Sequence, residues 1–186
     1  TTWARDIRGE GFVRVVVLGM GGSSLAAQAL AGVLGKTEQG LPLVVLDTTH
    51  PEAIAATAAA ASLSQTLFIS ASKSGTTIEV SALTAYFYQQ VKAQRGHAAG
   101  ESFVAITDAG SALQHYAEAH DFRRCFLNPA DVGGRFSVLT AFGMVPAALL
   151  GLDLERMFCS AYAARAASRL DTPDADPSAL RLGQAM

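Results

Sequence analysis

Short apolar runs alternate with longer stretches of helical pattern along most of the chain. The runs are rich in β-branched and aromatic residues and cover 12–18, 43–46, 66–70, 103–107 and 124–127. Continuous apolar runs of this length are typical of parallel strands that helices cover on both faces. The pattern therefore predicts a sheet of about five parallel strands.

Helical stretches separate these runs at 23–34, 51–61, 76–95 and 110–120. Pro51 stands where a first helical turn would begin, a position that proline favours. Repeated strand–helix alternation implies βαβ units with right-handed crossovers. We therefore expect an α/β fold, a three-layer doubly wound sheet, with the flavodoxin-like order in which strands one and three are neighbours.

The alternation stops after Asp131. Helical patterns cover 136–150 and 154–170, a stretch with two prolines and three acids typical of a linker covers 171–178, and a last helix is expected near Ala179. We predict one domain over 1–150 and a helical extension over 151–186. Both ends of the chain are expected to be cut from something longer.

Composition narrows the class of protein. Of the 186 residues, 50% are hydrophobic and 16% charged, and the formal net charge is −2. No apolar stretch approaches the roughly 18 residues of a membrane-spanning helix, and no basic block provides the surface that nucleic acids need. We therefore expect neither a membrane nor a nucleic-acid partner. An anionic ligand would have to be held locally, by backbone amides and hydroxyls.

The two cysteines, Cys125 and Cys159, are too few for a disulfide framework and are expected to be apolar fillers. The first ten residues are mixed and charged, unlike a signal peptide. A cytoplasmic location is therefore expected.

A glycine-rich loop, GMGGSS at 19–24, joins the first predicted strand to a helix. Free backbone N–H groups at a helix N-terminus attract anions, and glycines let a ligand approach the backbone closely. One alternative is a tight turn without a ligand. Another is a dinucleotide site, since Gly19 and Gly21 fit its G-x-G-x-x-G fingerprint, although Ser24 takes the third glycine position. Asp47 ends the second strand, where that fold places its ribose-binding acid.

A hydroxyl-rich loop, SASKSGTT at 70–77, follows the third predicted strand. Each hydroxyl can donate to a phosphate oxygen, and Gly75 lets successive N–H groups point inward around an anion. A helix cap would need only one hydroxyl, and the Walker motif G-x-x-x-x-G-K-[ST] does not occur in the sequence. The loop therefore predicts a phosphate site, which shares a crevice with the glycine-rich loop if strands one and three are neighbours.

A third segment, DVGGRFS at 131–137, precedes the first helix of the C-terminal part. Its paired glycines allow a close approach of backbone or ligand. Arg135 is a permanently charged donor suited to a carboxylate, a phosphate or a developing oxyanion. The local pattern leaves a structural ion pair equally open.

Together, VVLGMGGSSLA, ISASKSGTTIE and DVGGRFSVLTAFGM resemble, in this order and spacing, the glucose-6-phosphate isomerase family. AFGMVPAALLGLD and the late LRLG extend the resemblance to the isomerase parts of bifunctional transaldolase/glucose-6-phosphate isomerase chains. The resemblance covers about residues 11–183, and GGR followed by an aromatic and a hydroxyl residue is its most specific motif.

The resemblance implies a fold of two sugar isomerase (SIS) subdomains, of which this chain would hold the first. It implies the interconversion of glucose 6-phosphate and fructose 6-phosphate in glycolysis and gluconeogenesis, without a metal or cofactor, by a full-length homodimer. The residues implied to hold the phosphate are Ser72, Lys73 (through its amide), Ser74, Thr76 and Thr77. Those implied to line the pocket or lie near the reacting carbons are Gly22, Ser23, Gly134 and Arg135, with Arg135 stabilising the enediolate-like intermediate.

The family's proton-transfer groups, a glutamate, a histidine and a lysine, are implied to come from sequence downstream of Met186. Glu79 is expected to face solvent or core, and the local histidines are expected to have surface or packing roles: His50, His97, His115 and His120. We therefore expect binding without turnover. The alternatives are a non-catalytic SIS sensor, which GGRFS disfavours, and a dinucleotide-binding domain, which the hydroxyl-rich loop disfavours.

Overall fold

The computed structural model describes residues 2–168, and the predicted linker at 171–178 and the predicted helix near Ala179 lie outside them. The chain divides into two compact units, Thr1–Leu152 and Asp153–Met186. No helix among residues 2–168 is long and apolar enough to cross a membrane.

The first unit alternates strands and helices. Its strands are β1 (Arg14–Gly19), β2 (Leu43–Leu46), β3 (Thr66–Ala71), β4 (Phe103–Asp108) and β5 (Arg124–Asn128). Its α-helices are α1 (Thr2–Gly9), α2 (Gly22–Val33), α3 (Pro51–Ala59), α4 (Ile78–Arg95), α5 (Ala112–Ala119) and α6 (Ala141–Leu149). Short 3-10 helices cover Leu63–Gln65, Gly96–Ser102 and Gly134–Leu139. In the second unit, α7 covers Leu154–Ala167.

The strands form one parallel sheet in the order β2-β1-β3-β4-β5. This confirms the predicted α/β fold and its flavodoxin-like order. Leu18 pairs with Ser70 and Gly19 with Ala71, so β1 and β3 end level with each other. The chain leaves these two strands at one edge of the sheet, where their crossovers diverge and open a crevice.

Helices on both faces explain the continuous apolar runs. Every residue of β1 and β3 is buried, whereas the edge strands β2 and β5 are partly exposed. Three phenylalanines stack in the core: the ring of Phe68 lies 4.9 Å from that of Phe87 and 5.0 Å from that of Phe103. This core fixes the sheet edge from which the loops emerge.

One buried cation ties the amino ends of β1 and β3 together. The Arg14 guanidinium donates to Thr66 Oγ1 at 2.9 Å and to the Thr57 carbonyl at 2.8 Å. Burial lowers the pKa of Arg14 below its ordinary value, and the hydrogen bonds offset part of that desolvation cost.

The structure differs from the expected elements in two places. Helix α1 is not predicted from the sequence, since three of its eight residues are charged. The helix nevertheless forms with Ala4 and Ile7 buried. The predicted helix over 136–150 is broken at Thr140, which is extended (φ −101°, ψ −171°) between a 3-10 helix and α6. The Thr140 hydroxyl donates to the Ser137 carbonyl at 2.7 Å, a side-chain bond that competes with regular helix.

Candidate functional site

Three segments gather at the carboxyl edge of the sheet. We call residues 19–24, between β1 and α2, the glycine loop. Residues 72–77, between β3 and α4, are the hydroxyl loop. Residues 129–135, which lead from β5 into the 3-10 helix at Gly134–Leu139, are the arginine strap.

The glycine loop leaves the start of α2 open. Gly21, the N-cap residue, has φ +54°, a conformation that glycine adopts without strain, and it contributes no side-chain cap. The Ser24 hydroxyl turns back to the Gly21 carbonyl at 3.1 Å. The Ser23 side chain is half-buried and bonds to no residue within 2–168. The Ser23 and Ser24 amides donate to the Met20 and Gly21 carbonyls at 3.2 and 3.1 Å. Within residues 2–168, the Gly22 N–H and the Ser23 hydroxyl are therefore the groups at the start of α2 that remain available to a ligand.

The glycine loop packs directly against the arginine strap. A Cβ built on Gly22 would lie 2.9 Å from the carbonyl carbon of Gly134 and 3.0 Å from the amide nitrogen of Arg135. Only the absence of a side chain permits this approach. The structure thus brings together two of the segments that the sequence singled out.

Within the hydroxyl loop the hydroxyls pair with one another. The buried Ser72 hydroxyl lies 3.0 Å from Thr77 Oγ1 and accepts the Gly75 N–H at 3.2 Å. Above this pair, the exposed Ser74 and Thr76 hydroxyls lie 2.9 Å apart. Thr77 is the N-cap of α4 yet makes no side-chain cap. Helix capping therefore does not account for this cluster, and Ser72 braces the loop from below.

Gly75 is required by the shape of the hydroxyl loop. Its φ is +69°, and an added Cβ would lie 2.7 Å from Ser111 Cβ and 2.8 Å from the Leu113 nitrogen. Ser111 is itself occupied in capping α5, since its hydroxyl accepts the Gln114 N–H at 3.1 Å. The loop therefore lies tightly against the start of α5.

Several amides of the hydroxyl loop remain unpaired. The N–H groups of Lys73, Ser74 and Thr77 donate to no acceptor in the described part of the chain. They lie beside the first turn of α4, whose amides are likewise free of a side-chain cap. Such a concavity of N–H groups at a helix N-terminus is suited to an anion.

The Lys73 side chain is not free, unlike its amide. Its ammonium lies 2.5 Å from Asp108 Oδ2 and donates to the Ala130 carbonyl at 2.9 Å. Sequence reasoning missed Asp108 because it considered the segments after strands one, three and five and not the residues after strand four. The signal that could have found it was a carboxylate directly after the fourth predicted run, 103–107.

Asp108 also has a polar neighbour on the last strand. It pairs in register with Asn128 at the carboxyl ends of β4 and β5. Asp108 Oδ1 and Asn128 Oδ1 are both buried and accept no hydrogen bond from residues 2–168. The sheet edge beneath the arginine strap is therefore polar.

Arg135 is exposed, and its guanidinium makes no hydrogen bond or ion pair with any residue that the structure describes. The structural ion pair that the sequence left open is thus not formed within 2–168. The guanidinium can bind a negative group of a ligand at the mouth of the crevice.

The four histidines lie outside the three segments in the sequence. His50, His97 and His115 are exposed. His120 stacks on Tyr116, with ring centroids 3.9 Å apart. Glu79 is half-buried in the first turn of α4.

The fold does not match a dinucleotide-binding half. That arrangement has strand order 3-2-1, with the third strand beyond the second, whereas here β3 lies on the opposite side of β1 from β2. Asp47, the proposed ribose-binding acid, is exposed at the end of the edge strand β2.

Comparison with known proteins shows the family of the chain. The sequence model of the phosphoglucose isomerase family matches residues 2–165. A glucose-6-phosphate isomerase of Citrifermentans bemidjiense is 34% identical over 174 residues, which is 92% of this chain and 33% of the relative. One of Thermus thermophilus is 35% identical over 147 residues, covering 78% of this chain and 35% of the relative.

Solved structures show the same likeness. A hypothetical protein from Thermus thermophilus superposes with a TM-score of 0.86 at 31% identity, over 98% of this chain and 45% of that one. A glucose-6-phosphate isomerase from Chlamydia trachomatis gives a TM-score of 0.75 at 27% identity, over 90% of this chain and 32% of that one. This chain spans about a third of the length of the relatives it matches. By its sequence and its fold, the chain belongs to the phosphoglucose isomerase family.

Proposed function

We propose that this chain is the sugar-phosphate-binding domain of a cytoplasmic glucose-6-phosphate isomerase and that it binds glucose 6-phosphate and fructose 6-phosphate in the crevice between β1 and β3. The observation that carries the proposal is the hydroxyl loop, whose unpaired amides and exposed hydroxyls lie at the N-terminus of α4. The phosphate binds there, held by the Lys73 and Ser74 amides and by the hydroxyls of Ser74 and Thr76.

Arg135 acts at the other end of the sugar. The aldose–ketose reaction moves a proton between C2 and C1 and passes through an enediolate, which carries negative charge on oxygen. A guanidinium without a protein counter-ion is suited to stabilise that charge as it develops. The packing of Gly134 on Gly22 sets Arg135 beside the glycine loop.

The general base and acid of the reaction come, in this proposal, from the part of the enzyme that lies outside this chain. Two facts support this. The chain spans about a third of relatives that are named as isomerases. Within the three segments the structure describes no histidine and only one carboxylate, the exposed Asp131. The domain alone therefore binds the sugar phosphate without isomerising it. The complete enzyme, in this proposal, is a homodimer.

Titration calorimetry of the 186-residue chain with 6-phosphogluconate tests the binding site. Ser74→Ala removes one exposed hydroxyl of the hydroxyl loop and is expected to weaken binding by about 1–3 kcal/mol. Ser64→Ala is the matched control, because Ser64 pairs with Ser62 at 2.8 Å in the same manner at the other end of β3. Equal affinities for the Ser74→Ala variant and the unchanged chain would remove Ser74 from the site.

An isomerase assay that follows fructose 6-phosphate formation tests whether this chain binds the sugar phosphate without supplying the base. With glucose 6-phosphate at saturating concentration and no 6-phosphogluconate present, the chain alone is expected to show no turnover above the buffer rate. Measurable turnover that Arg135→Ala abolishes would place a base within this chain and refute the proposed division.

A further inference from the structure

The Lys73 side chain is the link between two parts of the site. Its ammonium leaves the hydroxyl loop, meets Asp108 Oδ2 at the end of β4, and donates to the Ala130 carbonyl in the arginine strap. The Lys73 and Asp108 side chains are 25% and 21% exposed, so the pair is largely shielded from solvent screening. A shielded pair with a further hydrogen bond holds its geometry better than a surface ion pair does.

The arginine strap has few other attachments. Its hydrogen bonds in the described structure are otherwise internal or to immediate neighbours, such as Val132 N–H to the Pro129 carbonyl at 3.3 Å and Phe136 N–H to the Gly133 carbonyl at 2.9 Å. Within residues 2–168, the Lys73 ammonium makes the one hydrogen bond that joins the strap to another loop. The strap also packs through Gly134 on Gly22, and the 3-10 helix into which it leads packs on α2 and α6.

The backbone of Lys73 is held in place as well. The Lys73 carbonyl accepts the Asp108 N–H at 3.0 Å and the Thr107 hydroxyl at 3.3 Å. Backbone and side chain of Lys73 thus both bind the end of β4. The ammonium uses two of its three N–H donors for Asp108 Oδ2 and the Ala130 carbonyl.

We infer that Lys73 is a positioning residue: its ammonium, held by Asp108, fixes the arginine strap and hence Arg135 relative to the phosphate site, and does not bind the phosphate. This inference rests on the proposed function for its ligand.

Asp108→Asn and Lys73→Met, titrated with 6-phosphogluconate and with inorganic phosphate, separate positioning from direct phosphate binding. If Lys73 positions the strap, both variants lose about tenfold in affinity for 6-phosphogluconate and keep their affinity for inorganic phosphate within about twofold. If the ammonium binds phosphate, Asp108→Asn releases it and raises the affinity for inorganic phosphate, whereas Lys73→Met lowers it. That second pattern overturns the inference.

A double-mutant cycle distinguishes positioning from a general loss of structure. If Lys73 acts through Arg135, adding Arg135→Ala to the Lys73→Met variant costs much less affinity for 6-phosphogluconate than it does in the unchanged chain. Additive losses would show that Lys73 and Arg135 act independently and would overturn the inference.

Hydrogen exchange on the ligand-free chain tests the link even if 6-phosphogluconate does not bind, an outcome that would count against the proposed function alone. The Val132 and Phe136 amides are expected to exchange at least severalfold faster in Asp108→Asn and Lys73→Met, with α4 amides unchanged. Lys92→Met, at an exposed lysine of α4, is the control for loss of a cation. Unchanged exchange at Val132 and Phe136 in both variants would refute the link.

Discussion

At Gly22 the backbones of the glycine loop and the arginine strap touch with no room for a methyl group. Residues that carry no chemistry of their own therefore determine where Arg135 lies. The Lys73 ammonium also holds the arginine strap, because it donates to the Ala130 carbonyl at 2.9 Å. At the scale of single residues, the site depends on these two contacts as much as on the groups that meet the ligand.

Gly22→Ala tests the first contact. The added Cβ would lie 2.9 Å from the Gly134 carbonyl carbon, so the strap must shift and Arg135 with it. We expect about a tenfold loss of affinity for 6-phosphogluconate by calorimetry. Gly32→Ala in the same helix, where nothing lies within 4 Å of the new Cβ, is expected to keep affinity and to gain about 0.5–1 kcal/mol of stability. Equal affinities for the two variants would contradict the role of Gly22.

Residue types alone sufficed to find the three loop segments, because clustered glycines, hydroxyls and one arginine are unusual in this apolar chain. They did not suffice for the Lys73 link. Asp108 lies 35 positions along the chain from Lys73, and only the pairing of β3 with β4 brings the two together. The inward turn of the Ser72 hydroxyl was also beyond prediction, because it depends on the positive φ of Gly75.

Among the elements, the five strands are the part that the hydrophobic pattern predicts best, since burial of the central strands on both faces keeps most of their positions apolar. The start of β5 follows from the same alternation, but the order of the sheet does not, because dinucleotide-binding folds have the same alternation with a different strand order. The pattern failed at the break before α6, where a side-chain hydrogen bond of Thr140 competes with regular helix. It also failed at α1, where charged residues interrupt the apolar positions. The break matters because it places the arginine strap on a separate turn from α6.

The aromatic contact between α4 and α5 predicts a pH dependence. Burial, followed by the charge of Asp121, raises the pKa of Tyr88, and burial followed by Tyr88 raises the pKa of Tyr116. A phenol with a raised folded-state pKa stabilises the fold fully below its ordinary value of 10.0 and loses that contribution as the pH rises further.

Urea unfolding measured between about pH 8 and pH 11 tests this contribution. The free energy of unfolding of the unchanged chain is expected to fall more steeply above about pH 10 than that of the Tyr88→Phe/Tyr116→Phe double variant. Tyr86→Phe, at a tyrosine that is 42% exposed, is the control and should leave the slope as it is. The same slope in the double variant and the unchanged chain would refute the assignment.

On the scale of the whole molecule, the chain is an α/β domain that covers about a third of the isomerases it matches. The hydroxyl loop with its unpaired amides and the arginine strap with Arg135 both lie at the carboxyl edge of the sheet, where β1 and β3 end. The sequence resemblance anticipated the family, which the comparisons confirm. The division between a binding domain and a base supplied from elsewhere stays a prediction, since neither the fold nor the family membership tests it.

An amide NMR titration of the 186-residue chain with 6-phosphogluconate tests the central claim most directly. The account predicts saturable shifts at Lys73, Ser74 and Thr77 in the hydroxyl loop, with further shifts at Gly22 and Arg135, and none at the amino edge of the sheet. NAD should produce none of these shifts. Saturable shifts that lie elsewhere, or that NAD reproduces and 6-phosphogluconate does not, would contradict a sugar-phosphate site at this crevice.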